Sequence, residues 1–137
     1  NHKNVKFINA FAEKLPFDNK YFDVVTVSFG MRNFSNIKKS LSEVFRVLED
    51  SGTFYCLEFS QINNKILNNF YQLYSEIIPI YGGIIASDSE SYKYLIKSIE
   101  NFPNQVELSK KMKDAGFKQI EVFDIIDGLA SIHIARK

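Results

Sequence analysis

A single cysteine, Cys56, stands in the whole chain, which excludes an internal disulfide. It lies in an apolar run, so it reads as a small buried hydrophobe rather than a reactive thiol. The two histidines, His2 and His133, are far apart, and no Cys/His cluster has metal-ligand spacing. No metal centre is expected. Six glycines are present, and none forms a Gly-x-Gly after a strand-like run, the pattern that lets backbone close on a phosphate. The net charge is only +1 and no lysine/arginine stripe appears, which argues against a nucleic-acid partner. The longest apolar stretch, residues 77–86, contains Pro79, Gly82 and Gly83. It falls short of the ~20 residues that a membrane-spanning helix needs. No initiator methionine, signal peptide or transit segment opens the chain, which begins at Asn1 in what reads as mid-fold.

What is there concentrates in residues 22–34. The β-branched run Phe22-Asp-Val-Val-Thr-Val-Ser28 ends abruptly in Gly30, Arg32 and Asn33. A continuous apolar run bounded by turn signals reads as a parallel strand buried on both faces. Ligands of open α/β sheets bind beyond the carboxyl ends of such strands, so the polar cluster falls where a ligand belongs.

The remaining pattern predicts an alternating order. Residues 5–10 form a short strand candidate. Ser35 or Asn36 caps a helix over 37–48, with Ile37, Leu41, Val44, Phe45 and Leu48 on one face. Asp50-Ser51-Gly52 ends it, Gly52 being suited to a left-handed cap. A second buried strand covers 53–59 and ends in Glu58 and Ser60. Strand, helix and strand with short turns imply parallel pairing. Asn64 caps a helix reaching about residue 78. Ser87 and Glu90 have capping-box spacing for another, which buries Tyr92, Leu95, Ile96 and Ile99 and ends before Pro103. A helix over 105–115 stops at Gly116. Strands over 117–125 and 129–135 flank Asp127-Gly128, a hairpin signal that makes the last pair antiparallel. An α/β sheet that ends in an antiparallel hairpin strand points away from dehydrogenases and toward methyltransferases dependent on S-adenosylmethionine.

Several stretches then carry a resemblance. They are Leu15-Pro-Phe17 with Phe22-Asp23, Ser28-Phe-Gly-Met-Arg-Asn33, Arg46-Val-Leu48 with Gly52, and Leu57-Glu-Phe-Ser60. Asp88, Ser91-Tyr92, Tyr94-Leu95, Ser98-Ile99 and Phe102-Pro-Asn-Gln105 follow, then Ala115-Gly-Phe117 and His133. Together they resemble the ubiquinone/menaquinone-biosynthesis C-methyltransferases over nearly all of the chain. The resemblance implies an α/β, Rossmann-like class I methyltransferase sheet with an antiparallel C-terminal hairpin, lacking the N-terminal strands. Residues 1–137 would then be the C-terminal part of a single domain, with a helical substrate-covering insert over about 62–103. Three departures stand out. The family's glycine-rich loop and acidic ribose-binding residue are absent from these residues. Phe11 precedes Ala12 where the family places Asp or Asn against the adenine amine. The usual Lys-Pro-Gly-Gly turn reads Glu49-Asp-Ser-Gly52.

What the resemblance implies chemically is C-methylation of a polyprenyl benzoquinol or naphthoquinol by S-adenosylmethionine, with no metal required. Phe11, Ala12 and Ser28 would meet the cofactor. Arg32 and Asn33 would orient a quinol oxygen and favour its ionised form, with Asp88 as the best available base; Tyr94 and Ser91 would meet the substrate. Each has a plainer reading: Ser28 as a strand-end hydroxyl bonded to backbone, Arg32 and Asn33 as a salt bridge and turn at the helix entry, Asp88 and Ser91 as helix caps, His133 as a structural strand histidine. The apolar side chains between residues 64 and 102 would cover a lipophilic quinol, touch a membrane surface, or simply pack on the sheet. The implied setting is cytoplasmic or the matrix side of the mitochondrion, peripheral to the inner membrane, as a homo-oligomer or within a quinone-biosynthesis complex. The isolated 137 residues are expected to be inactive. Two rival readings stay open: a non-catalytic truncated homologue serving as a scaffold or binding subunit, and a methyltransferase for another small molecule such as a sterol.

Overall fold

In a computed structural model, the described part of the chain is residues 4–62 and 89–137. It is a four-stranded sheet with helices packed against it. Strand β1 spans Phe22–Ser28, helix α1 Ile37–Val47, β2 Leu48–Phe59, α2 Ser89–Glu100, α3 Gln105–Asp114, β3 Gln119–Ile125 and β4 Ala130–Arg136. A 3-10 turn, Met31–Asn33, links β1 to α1. The strand order is β1-β2-β4-β3; β1 and β2 are parallel, and β4 runs antiparallel to both β2 and β3. The expected mixed sheet with an antiparallel end is therefore present.

Local chemistry accounts for most element ends. Asn36 caps α1, its Oδ1 accepting from the Lys39 N–H at 3.0 Å, because first-turn amides have no partner within the helix. Asn104 and Glu107 form a reciprocal capping box at the start of α3. Gly116 follows α3 at φ +114°, and a Cβ there would lie 2.8 Å from the Phe45 ring. Both the backbone and the close approach demand glycine.

Alternation in β2 and β4 builds the core. Phe54, Cys56 and Glu58 of β2, with Ser131, His133 and Ala135 of β4, are buried on the face that α1 and α3 cover. Leu41 and Val44 of α1 meet Leu108 and Met112 of α3 there, with Phe117 set edge-on to Phe45 and stacked on Phe54. Each fully buried large side chain contributes about 1.5–3 kcal/mol.

Three expectations are corrected. Residues 5–10 form no strand; Val5, Phe7 and Ile8 stand exposed, and no neighbouring strand among the described residues offers a ladder. β1 is not buried on both faces: among the described residues it is an edge strand, and Val24 faces solvent while Val25 and Val27 pack inward. Gly52 takes no left-handed conformation. The β1/β2 register jumps from Phe22↔Leu48 to Val24↔Thr53, so residues 49–52 bulge and fold back, and a Cβ on Gly52 would lie 2.9 Å from the Glu49 carbonyl. The β3–β4 hairpin is present, yet its left-handed residues begin at Ile126 (φ 48°) and Asp127 (φ 54°), with Gly128 third. The expected helix over 64–78 and the Ser87 cap lie outside the described residues.

Candidate active site

Two segments frame the C-terminal mouth of β1 and β2. The first is the loop ahead of β1, which α1 fastens with its polar face. The Glu43 carboxylate accepts from the Leu15 N–H at 2.8 Å and from Arg46 Nε at 2.8 Å. Arg46 in turn donates to the carbonyls of Leu15 and Phe17 and to Asn19 Oδ1. The Arg46 guanidinium is the main reason the Glu43 carboxyl is held down at about 2. Glu13 accepts from the Asn36 N–H at 2.9 Å, so the start of α1 secures the loop as well. These contacts hold Phe11 and Ala12 along an open hollow of about 600 Å³ that reaches Asn33 and Phe34. Phe11 is 80 % exposed, so it does not pack inward.

The second segment is the exit of β1. Ser28 is exposed at the strand end, opposite Leu57 in register. Phe29 is left-handed at φ 49°, a conformation costing a bulky residue of order 1–3 kcal/mol. Its amide donates to the Leu57 carbonyl and its ring lies 4.7 Å from that of Phe59. The chain then tightens through Met31, which is fully buried against the Cys56 thiol. Burial, and next the Glu58 charge, push that thiol up to about 12, so it is inert.

Arg32 follows, and its partner is Glu58. The Glu58 carboxylate, 1 % exposed, accepts from Arg32 Nη1 at 2.7 Å, from the Arg32 N–H at 3.3 Å and from its neighbour's Phe59 N–H at 3.0 Å. Arg32 Nη1 also donates to the Phe29 carbonyl, and the guanidinium lies 5.4 Å from the Phe59 ring centroid. Among the described residues its Nε is buried with no hydrogen-bond partner. The salt bridge that was the plainer reading of Arg32 thus exists, and it is buried. Glu58 is the residue that sequence reasoning passed over as a site member. The available signal was a carboxylate in an apolar run, two residues from a strand end.

Asn33 is exposed, and its Oδ1 accepts from the Tyr94 hydroxyl of α2 at 3.0 Å. Ser91 sits one turn earlier on that helix, also exposed. So Arg32, Asn33 and Tyr94 are brought together around the β1 exit, with Ser28 at its start. Phe11 and Ala12 are separate from them and share only the hollow that Asn33 also lines. Asp88 lies outside the described residues. His133 is buried in β4. Its Nε2 lies 3.1 Å from the Gln105 carbonyl and its Nδ1 3.5 Å from Ser131 Oγ, and burial lowers its pKa. Among the described residues no helix is long and apolar enough to cross a membrane.

Known proteins share both the sequence and the fold. The model of the ubiE/COQ5 methyltransferase family matches residues 1–137. The 2-methoxy-6-polyprenyl-1,4-benzoquinol methylase of Bos taurus mitochondria is 46 % identical over 123 residues, 89 % of this chain and 37 % of that protein. The ubiquinone/menaquinone biosynthesis C-methyltransferase of Rickettsia prowazekii is 45 % identical over 136 residues, 98 % of this chain and 55 % of that protein. The chain thus spans between about a third and just over half of these relatives. In fold it is similar to S-adenosylmethionine-dependent methyltransferases from Thermotoga maritima (TM-score 0.65, 17 % identity, 95 % of this chain and 63 % of that one) and Aquifex aeolicus (0.63, 14 %, 98 % and 55 %).

Proposed function

The chain belongs to the ubiE/COQ5 methyltransferase family, and we propose that it forms the substrate-facing half of an enzyme that methylates a ring carbon of a polyprenyl quinol. The observation that carries this reading is the match over the entire chain, at 45–46 % identity to relatives named for quinol methylation. The residues fit S-adenosylmethionine on one side. The open hollow beside Phe11 and Ala12 has the volume of a small-molecule site and offers an aromatic face for the adenine. Phe11 brings no acceptor for the adenine amine, so stacking replaces that contact. When bound, the cofactor's sulfonium supplies the methyl group. The chain's part is to hold the quinol carbon in line with it and to keep water out.

Arg32 and Asn33 are the residues proposed to do this. A phenol titrates near pH ~10, so its oxygen needs help to release electron density to the ring. Arg32 Nε–H is a buried donor with no partner among the described residues, suited to an oxygen with growing negative charge. Asn33, braced by the Tyr94 hydroxyl, would orient the same ring from the other side. Ser28 would line the cofactor's methionine end, and Ser91 would meet substrate one turn from Tyr94. The apolar insert over about 62–103 would cover the prenyl chain and bring the protein to a membrane surface, on the cytoplasmic or matrix side. Homo-oligomers or a quinone-biosynthesis complex are the expected assemblies.

Taken alone, the 137 residues are proposed to bind the cofactor weakly or not at all, because they hold neither the family's glycine-rich loop nor its acidic ribose-binding residue; among the described residues β1 also leaves an outer edge unpaired, which favours association between chains. Sizing with calorimetry tests that part; a monomer with micromolar affinity would refute it. The function itself is tested with full-length protein, labelled S-adenosylmethionine and short-chain 2-methoxy-benzoquinol and naphthoquinol under anaerobic conditions. Transfer to a ring carbon of either is expected. Transfer only to a sterol, or none, would overturn the reading.

A further inference from the structure

We propose that Glu58 is a positioning residue for the methyl transfer: it anchors Arg32 by one nitrogen and cancels its charge, so that Arg32 meets the quinol oxygen as an aimed hydrogen-bond donor rather than as a free cation. This rests on the functional reading above and refines it. Three observations carry it.

First, one carboxylate holds both strand exits. Glu58 accepts from the side chain and the backbone of Arg32 on the β1 side and from Phe59 on its own strand. Three of its roughly four acceptor sites are thereby used, and it is 1 % exposed to water. Second, the grip on Arg32 is one-sided. Nη1 is shared between Glu58 and the Phe29 carbonyl, while Nε is buried and unbonded. A buried donor without a partner is costly, and a planar fork fixed at one corner cannot turn to relieve it. The arrangement therefore favours a site that a ligand oxygen completes. Third, the backbone is strained where the anchor acts. Phe29 sits at φ 49°, two residues before the Met31–Asn33 turn begins, and the guanidinium lies against the Phe59 ring. Strain of this kind persists only where surrounding contacts over-determine it.

The charges facing the pair are few among the described residues. Cys56 lies two residues before Glu58 on the same face of β2, and its thiol stays neutral at ordinary pH; His133 of β4, paired with Cys56 in register and buried on that face, has its pKa lowered by burial. Tyr94 approaches from α2 through Asn33. With Glu58 ionised, the Arg32–Glu58 unit carries no net charge. Removing the carboxylate's charge would leave a lone cation beside the quinol oxygen, which favours the ionised phenol.

Two variants of the full-length enzyme separate position from charge. Glu58→Asp keeps the charge and withdraws it by one methylene. It is expected to lower kcat at least 10-fold, with cofactor affinity within twofold of the parent and the pH midpoint unmoved. Glu58→Gln keeps the shape and removes the charge. It is expected to move the acid limb of single-turnover methylation to lower pH by about half a unit or more. The same shift should appear in the ionisation of short-chain quinol bound without cofactor, read by ultraviolet difference absorbance. Thermal midpoints and near-ultraviolet circular dichroism verify folding. A Glu58→Asp enzyme that turns over like the parent, or a Glu58→Gln enzyme with an unmoved midpoint in both readouts, overturns the proposal. So does unfolding of both variants, which would make Glu58 a structural anchor only. A parent enzyme that methylates no quinol overturns the functional reading itself, whereas an active parent with unaffected variants overturns only the role of Glu58.

Discussion

Two arginine–glutamate pairs hold the two sides of the candidate site, and they are built differently. Arg46 and Glu43 lie on α1, partly exposed at 31 % and 19 %, and every guanidinium nitrogen has a partner. Arg32 and Glu58 lie 26 residues apart, only 12 % and 1 % exposed, and among the described residues Arg32 Nε is buried without a partner. The first pair is a satisfied staple for the loop before β1. The second is unsatisfied where a ligand would sit. The contrast teaches that charge pairing alone does not mark a functional residue. A donor buried without a partner beside a strand exit does so more sharply, since native interiors otherwise leave few such groups.

The comparison is broken or sharpened by four measurements. The largest effect is expected from Arg32→Met, which leaves the Glu58 carboxylate buried and unpaired; urea unfolding should show a loss of about 3–5 kcal/mol. Arg46→Met comes next. It removes charge-assisted bonds to two loop carbonyls, but its site admits water, so about 2 kcal/mol is expected from the same measurement. Should Arg46→Met cost more than Arg32→Met, burial does not distinguish the pairs as described. Third is acid titration. The Glu43 pKa is depressed to about 2 in the fold, so its stabilisation is present above the unfolded value near ~4.3 and is lost as pH falls toward 2. Glu43→Gln should therefore flatten the fall in stability across that window, by on the order of 2 kcal/mol. An unchanged acid limb would show that the pair is looser than its geometry. The smallest effect belongs to Lys20 and Asp50, which pair at 2.6 Å on the open surface. Lys20→Ala should leave the denaturation midpoint where it is, because exposed pairs are screened and entropically costly. A clear shift would mean that surface pairs matter here as much as sheltered ones.

What could be read from the sequence was whatever depends on neighbours a few residues apart. Asn36 announces α1 because its side chain bonds an amide three residues on. The alternation of Phe54, Cys56 and Glu58 gives the inward face of β2, and Gly116 gives the end of α3. What failed depends on partners elsewhere in the chain. Residues 5–10 alternate like a strand, but a strand needs a ladder that the segment does not find. β1 is apolar enough for a central strand and sits at an edge. Gly52 was attributed to a helix cap because the register jump that folds residues 49–52 back arises only when β1 and β2 pair. At the candidate site, the position of Arg32 and Asn33 just after a strand was legible. The Glu58 partner was not, because nothing local ties two residues 26 positions apart.

The sulfur contact beneath the site has a practical side. Cys56 is fully buried against Met31, and its thiol is held far from ionisation. Probes that react with thiolate will pass it by. The chain is therefore a ready background for spectroscopic labelling. A cysteine placed at exposed Lys93, beside Tyr94 on α2, would be the only reactive sulfur in these residues. A nitroxide or fluorophore there would report, in real time, whether α2 moves against the β1 exit when the proposed quinol is added.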